Sequence, residues 1–329
     1  MDSSVIKKKV LYVSPHLSTG GLPQYLLKKI ETFNDQLEIY CVEYSYYGSA
    51  FVVQRNKICN ILGDRFIELG DQKERLPDII DSVSPDVVHF EEIAETFVDR
   101  SILNRIYRKD RSYVICETCH SSTIEPTIKT HKPDKFIMVS DWIKEKYRIL
   151  GVPTELLEYP IDNNVPNKNL ALEKLGLDPN KKHVVNVGLF TPGKNQGELI
   201  RYAQSLNSSK DFPIQFHFVG NQAQNFEFYW GPLMESLPSN CRIWGERNDV
   251  ELFYQAADLF VFTSTYELNP LCLKEALSWK IPILFYNLHT YSDSYSREPL
   301  VNYLVSNNDP ENINKILEIL KIERPDANT

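Results

Sequence analysis

Short apolar runs that suit buried strands alternate with segments of helical period along this 329-residue chain, and midway the alternation begins again. That order is the tightest constraint on the fold, because strands separated by helix-length crossovers build parallel sheets. In the first half the runs are Lys9 to Ser14, Leu37 to Val42, Arg65 to Leu69, Asp86 to Phe90, Tyr113 to Cys116 and Lys135 to Val139. Between them, Leu22 to Phe33, Pro77 to Val83 and Glu95 to Lys109 read as helices. Ser140 to Leu150 opens on a good N-cap and closes at Gly151. The stretch LLEYPIDNNVPNKN then gathers proline and asparagine and reads as a linker. In the second half His183 to Gly188, Ile214 to Val219, Arg242 to Trp244, Leu259 to Phe262 and Ile281 to Phe285 read as strands, with helices over Gln196 to Leu206, Pro270 to Trp279 and Asn312 to Ile322. The expected fold is α/β: two Rossmann-like domains, 1–158 and 159–329, whose parallel sheets face each other across a cleft, with the last helix able to pack back on the first domain. Such clefts are the usual place for small-molecule sites.

The formal net charge of -8 argues against nucleic acid, whose binding rests on neutralising phosphates with Lys and Arg. No run of about 18 apolar residues suggests a spanning helix, and the start carries no signal-peptide pattern, so the expected location is the cytoplasm. Glu95 to Arg111 sets arginines among apolar residues, a pattern that allows peripheral contact with an anionic membrane and equally suits a helix covering a sheet. Six cysteines are too sparse for a disulfide scaffold. Cys116, Cys119 and His120 spell C-E-T-C-H, which matches haem attachment and, more loosely, a redox or zinc half-site, but haem attachment would require export, which the N-terminus does not support, and zinc would need a second ligand pair that the sequence does not offer. Buried thiols at a strand end are the expectation.

Three strand-to-helix junctions carry chemistry. Gly20 and Gly21 follow the first strand, where adjacent glycines permit a tight turn and a close ligand approach. GLFTPGKN, Gly188 to Asn195, leads from a strand end to a helix N-terminus with Lys194 at its mouth, which suits a phosphate, although it lacks the Walker A spacing. The third follows the strand Leu259 to Phe262. There Glu267 and Glu275 stand with seven residues between them, one in the loop and one in the helix, with Pro270 at the helix's first turn.

Taken in order, these elements resemble the family 4 retaining glycosyltransferases with the GT-B fold. The resemblance runs through the glycine pair, VVHF, His120, VSDWIKEKY, YPID, VGLFTPGKN, HFVGN with Gly220, and E-LNPLCLK-E. It implies that Glu275 holds the ribose of a nucleotide-sugar donor and that Glu267 lies beside the transferred sugar. Lys194, with the backbone N–H groups near Asn269, Leu271 and Cys272, would take the diphosphate. Gly188, Asn195 and Gly220 would line the donor, Gly20 and Gly21 would lie close to the phosphates, and His120 would face the sugar and the acceptor. Lys194, Glu267 and His120 are thus the expected catalytic residues, with no metal and no cofactor beyond a UDP- or GDP-sugar co-substrate. The acceptor would be a glycan, a lipid-linked sugar or a small molecule, and Tyr44 to Tyr47 offers a sugar-stacking loop. Leu189 replaces a family arginine, leaving Arg201, Arg247 or backbone groups to take its part. Pro270 and Lys280 replace family glycines. Two other readings predict different outcomes: a non-catalytic GT-B protein that binds a nucleotide or glycan, and a nucleotide-sugar epimerase.

Overall fold

The computed structural model describes residues 7–18, 20–46, 53–291 and 295–322. The chain divides into two compact units, Met1–Tyr159 and Pro160–Thr329. In the first, seven parallel strands follow one another as β1 (Lys9–Ser14), β2 (Glu38–Glu43), β3 (Phe66–Glu68), β4 (Val87–Phe90), β5 (Val114–Glu117), β6 (Lys135–Met138) and β7 (Thr154–Leu156). Their spatial order is β3-β2-β1-β4-β5-β6-β7, so the direction of strand addition reverses between β1 and β4. Helices cover both faces, as a parallel sheet requires. Val10, Tyr12, Ile39 and Cys41 pack with Leu26, Leu27 and Ile30 of α1 (Gly21–Phe33) and Ile58 and Leu62 of α2 (Val53–Leu62). On the other face Leu11, Val13, Val88, Phe90 and Ile115 meet Leu76, Ile79 and Ile80 of α3 (Leu76–Val83) and Ile102, Leu103 and Ile106 of α4 (Arg100–Ile106).

Two expectations are corrected in this unit. The helix read over Glu95 to Lys109 is a single turn at 94–96 followed by the shorter α4, because Asp99 sits in an extended conformation between them. Its apolar stripe is core, while Arg105, Arg108 and Arg111 hold Asp78, Asp81 and Asp134 at 2.6, 2.9 and 2.7 Å. The unit also continues beyond Gly151. Ser140 does cap α5 (Asp141–Tyr147), its hydroxyl accepting from the Ile143 N–H, and Gly151 is left-handed, but the chain then adds β7 beside β6 before the proline-rich stretch.

The second unit begins with α6 (Lys168–Leu175) and holds six parallel strands: β8 (Lys182–Val187), β9 (Ile214–Val219), β10 (Cys241–Gly245), β11 (Leu259–Phe262), β12 (Ile283–Phe285) and β13 (Val301–Tyr303). The order is β10-β9-β8-β11-β12-β13, which reverses between β8 and β11. Between the strands lie α7 (Gln196–Leu206), α8 (Glu227–Glu235), α9 (Val250–Ala256) and α10 (Leu271–Ser278), and α11 (Asp309–Lys321) comes last. On one face Val185, Phe260, Phe262 and Ile283 pack with Leu172 of α6, Phe253 of α9 and Leu273 of α10. On the other, Val184, Phe216, Val261 and Leu284 pack with Leu199 and Ala203 of α7 and with Ile316 and Leu320 of α11. The last helix thus covers its own unit's sheet. Among the described residues no helix is long and apolar enough to cross a membrane.

A chain of rings, with both imidazoles buried, ties three strands of this unit to a turn. The Trp244 indole N–H donates to His217 Nδ1 at 3.0 Å, which leaves the Nε2 proton of His217 for His183 Nδ1, also at 3.0 Å. His183 then donates from Nε2 to the Asp178 carbonyl at 3.0 Å. Every link is satisfied only while both imidazoles are neutral. Burial, with His183 and Arg242 nearby, pushes His217 down to about 3, and burial likewise lowers His183 despite the Asp178 carbonyl and the Asp258 carboxylate. The folded-state pKa lies below the unfolded one, so this stabilisation is complete above about pH 6.5 and is lost as pH falls toward 3. In that window His217 removes about 1.4 kcal/mol per pH unit. Urea unfolding should therefore show the native chain losing on the order of 2 kcal/mol between pH 6.5 and 5 from His217 alone. His217→Gln should lose correspondingly less over that range, and an equal loss would refute the linkage.

Candidate functional site

In an open α/β sheet ligands bind beyond the carboxyl ends of the strands, where the strand order reverses. In the second unit that point lies between β8 and β11, and the loops leaving these two strands are clasped together. The Thr263 hydroxyl lies 3.1 Å from the Lys194 carbonyl oxygen and 2.8 Å from that of Asn195. The Thr265 N–H donates to the Gly193 carbonyl at 3.0 Å. Ser264 Oγ stands 2.6 Å from Glu267 Oε1 and 3.0 Å from the Gly193 carbonyl oxygen, and its single proton serves one at a time. Thr263 and Ser264 are fully buried. In the sequence their only signal is two hydroxyl residues at the end of a wholly apolar strand.

The clasp gives Lys194 its direction. Its aliphatic carbons run over Gly188, where an added Cβ would meet them at 3.7–3.9 Å. The ammonium ends 5.0 Å from the Phe262 ring centroid and pairs with Glu267 Oε1. Burial works against the lysine's charge, and the Glu267 carboxylate more than offsets it, so the ammonium titrates above the ordinary lysine value. Glu267 is further fixed through its backbone carbonyl, which accepts from the Thr290 hydroxyl at 2.6 Å. Asn195 takes the left-handed conformation, φ 52°, at the start of α7, and its side-chain amide donates to Glu198. Glu198 also accepts from Tyr202 and Tyr286, so a buried polar knot holds the loop's end.

Gly220 explains why the loop can leave β8 as it does. Its φ is +144°, and an added Cβ would lie 2.1 Å from the Gly188 carbonyl oxygen. The two strand-end glycines pass with their backbones in contact, while Gly188 N–H donates to the Val219 carbonyl at 2.9 Å.

Glu275 lies one turn into α10, its Oε2 accepting from the Tyr254 hydroxyl of α9 at 2.9 Å. Leu271 and Cys272 are the first two residues of that helix, and Asn269 lies in the loop before it. The N–H groups of a helix's first turn lack intrahelical acceptors, so this terminus is suited to an anion. Pro270, expected within the first turn, is instead the N-cap, in an extended conformation. A proline there costs one N–H donor in the loop but leaves the helix ladder whole. Lys280, at φ 56°, keeps the left-handed backbone that a glycine would hold without strain. Neither substitute arginine is free for the loop. Arg247 forms two hydrogen bonds to Asp249, at 2.8 and 2.7 Å, and Arg201 pairs with Asp309 at 3.3 Å. Lys194, itself paired with Glu267, is a cation that lies in the loop.

In the first unit the reversal lies between β1 and β4, and the residues there form their own cluster. Gly20, at φ +124°, is the N-cap of α1, a backbone that needs glycine, whereas Gly21 is an ordinary first helical residue. His120, three residues beyond β5, has its Nε2 at 3.5 Å from Glu91 Oε2 and its ring edge-on to Tyr25 at 5.2 Å. Its N–H lies 3.2 and 3.3 Å from the Glu92 carboxylate oxygens. Cys116 and Cys119 are buried thiols, the first pushed up to about 11 by burial. Among the described residues no group of three or more His, Cys, Asp or Glu could hold a metal ion. The tyrosine loop is not a free stacking surface: Tyr44 is fully buried, Tyr46 lies under Arg55 at 4.5 Å, and Tyr47 falls outside the described residues.

Residues 167–328 match the model of the family described as glycosyl transferases group 1. Over 173 residues, 49% of this chain, the sequence is 27% identical to alpha-galactosylglucosyldiacylglycerol synthase of Streptococcus pneumoniae; the match spans 46% of that relative's length. Anabaena HepE, solved in complex with UDP and glucose, superposes with a TM-score of 0.75 at 14% identity, over 95% of this chain and 90% of that one. Sucrose-phosphate synthase of Thermosynechococcus elongatus gives 0.71 at 15% identity, over 96% and 90%. At these identities the likeness is one of fold: the two parallel sheets are those of the GT-B architecture.

Proposed function

We propose that this chain, whose residues 167–328 match the model of the glycosyl transferases group 1 family, transfers a sugar from a nucleotide-diphosphate donor to a hydroxyl acceptor with retention of configuration. The observation that carries the reading is the ammonium of Lys194, led over Gly188 to Glu267 at the strand reversal of the second unit. Cleavage of a glycosyl-phosphate bond builds negative charge on the departing diphosphate, and donors aimed at that charge beforehand are the largest catalytic term. Lys194 and the first N–H groups of α10 supply them, so no metal ion is needed to neutralise the leaving group. Glu275, braced by Tyr254, takes the ribose hydroxyls, and Glu267 serves the sugar while holding Lys194 in place. Gly188, Asn195, Gly220 and Asn269 shape the donor pocket. The first unit, with His120 at its own reversal, binds the acceptor: a glycan, a lipid-linked sugar or a small molecule. UDP in the Anabaena structure supports a UDP-sugar, and the glycolipid product named for the streptococcal relative supports a lipid-linked acceptor, as first choices.

The test is incubation of the chain and of Glu275→Ala with UDP- and GDP-sugars, with and without acceptors and with EDTA, following the product's anomeric configuration by NMR. Retained configuration, EDTA resistance and loss in the variant are expected. Inversion, or full activity in the variant, would refute the assignment. The non-catalytic reading draws on Leu189 and on the engagement of Arg201 and Arg247 by aspartates; it predicts donor binding with neither transfer nor hydrolysis.

A further inference from the structure

The charged cluster of the first unit contains a group that the reaction outlined above does not use. Glu91 follows β4 directly and is wholly buried, as is its partner, the Lys29 ammonium of α1, which pairs with Oε1. Lys29 also lies over the rings of Tyr12 and Tyr25, at 4.8 and 4.7 Å, so neither charge can turn to solvent. Burial opposes the carboxylate's charge, and Lys29, His89 and His120 outweigh it, holding Glu91 well below the usual carboxylate range.

With Oε1 occupied by Lys29, Oε2 is left facing His120 Nε2 at 3.5 Å. Both atoms are buried, and neither has a hydrogen-bond partner among the described residues. His89 does not compete for this oxygen, since its Nε2 bonds Thr118 Oγ1 at 2.8 Å and its Nδ1 stands 3.8 Å from Oε1. A carboxylate oxygen facing an imidazole nitrogen is repelled by a lone pair and attracted by a proton, so it selects the tautomer with the proton on that nitrogen. The Glu92 carboxylate at the His120 N–H fixes the backbone that carries the ring, and the imidazole lies edge-on against Tyr25. Nδ1 has no partner among the described residues, and the side chain is 12% exposed.

We propose that Glu91 is a positioning residue that holds His120 as the Nε2–H tautomer and thereby keeps the Nδ1 lone pair as an acceptor for a hydroxyl group of a sugar or polyol. The inference rests on the glycosyl-transfer reading only for whose hydroxyl is bound; the tautomer stands or falls separately.

The experiment is a long-range 1H–15N spectrum of the full chain labelled at histidine, with His120 identified by its loss in His120→Gln. The native ring should carry its proton on Nε2, and titration with glucose or glycerol should move the Nδ1 resonance. In Glu91→Gln the amide can donate to Nε2, so the proton should pass to Nδ1 and the response to added sugar should vanish. Because that variant leaves Lys29 unpaired, Lys29→Met/Glu91→Gln removes both charges together and should show the same transfer. A native Nδ1–H tautomer, a tautomer unchanged in both variants, or an Nδ1 resonance that neither polyol moves would overturn the proposal. Transferase assays play no part in these readouts. A correct tautomer in a chain that transfers no sugar would count against the proposed function alone.

Discussion

Lys194→Ala should lower turnover with a nucleotide-sugar donor about 10²–10³-fold, the loss seen when one preorganised donor to a developing oxyanion is removed. The lysine side chain is 28% exposed, and it ends in a loop held together by Thr263, Ser264 and the Asn195–Glu198 bond, none of which it makes. The fold should therefore survive, with an unfolding free energy within about 1 kcal/mol of native. Lys194→Arg should restore little, because the planar guanidinium cannot follow the path over Gly188 and also reach Glu267 as a point charge does. Glu275→Ala should differ in kind. A residue that holds the ribose equally in ground and transition states raises KM more than it lowers kcat. Steady-state kinetics of the variants beside urea titrations would check both statements. Equal turnover in Lys194→Ala would remove the cation from the mechanism.

Gly220→Ala should be the most damaging single methyl in the second unit. The new Cβ would sit 2.1 Å from the Gly188 carbonyl oxygen and 2.6 Å from its carbonyl carbon, both backbone atoms of the neighbouring strand. No rotamer change relieves that, and the backbone at φ +144° is itself unfavourable for a side chain. Overpacking and strain together should cost about 3–5 kcal/mol. The site would go with the stability, because the loop that aims Lys194 starts at the displaced residue. Gly188→Ala is the comparison: its backbone, at φ +159°, is also unfavourable for a side chain, but its Cβ would meet only flexible lysine carbons at 3.7–3.9 Å, so it should cost less than Gly220→Ala while the path of Lys194 shifts. Comparable unfolding midpoints for the two alanine variants would contradict the close backbone approach.

The architecture was legible where apolar runs were long and bounded. Leu259–Phe262, Ile214–Val219 and the helix Gln196–Leu206 stand as read, because turn residues flank each run. Less could be read where the local signal opposed the tertiary result. The α8 helix contains Gly231 and Pro232, two residues that argue against a helix interior, and it was not expected. The strand Thr154–Leu156 is three residues long, runs into the proline-rich stretch and is held by β6 rather than by its own pattern. At the site, the residue types were legible and their partners were not. Lys194 and Glu267 are 73 positions apart, and only the adjacency of β8 and β11 brings their loops together. The engagement of Arg201 and Arg247 by Asp309 and Asp249 was equally hidden: a cation near a loop in sequence says nothing of the acid that claims it first.

The claim that the loops of β8 and β11 hold a nucleotide-diphosphate sugar is tested most directly by thermal unfolding with UDP-, GDP-, ADP- and dTDP-sugars. A ligand bound only by the folded chain stabilises it by RT ln(1 + [L]/Kd), about 2.7 kcal/mol at a hundredfold excess over Kd. The native chain should be stabilised by a UDP- or GDP-sugar, with the shift largely lost in Lys194→Ala and Glu275→Ala. If none of the four donors moves the native midpoint, or if one moves both variants as far as the native chain, the site is not where this account places it.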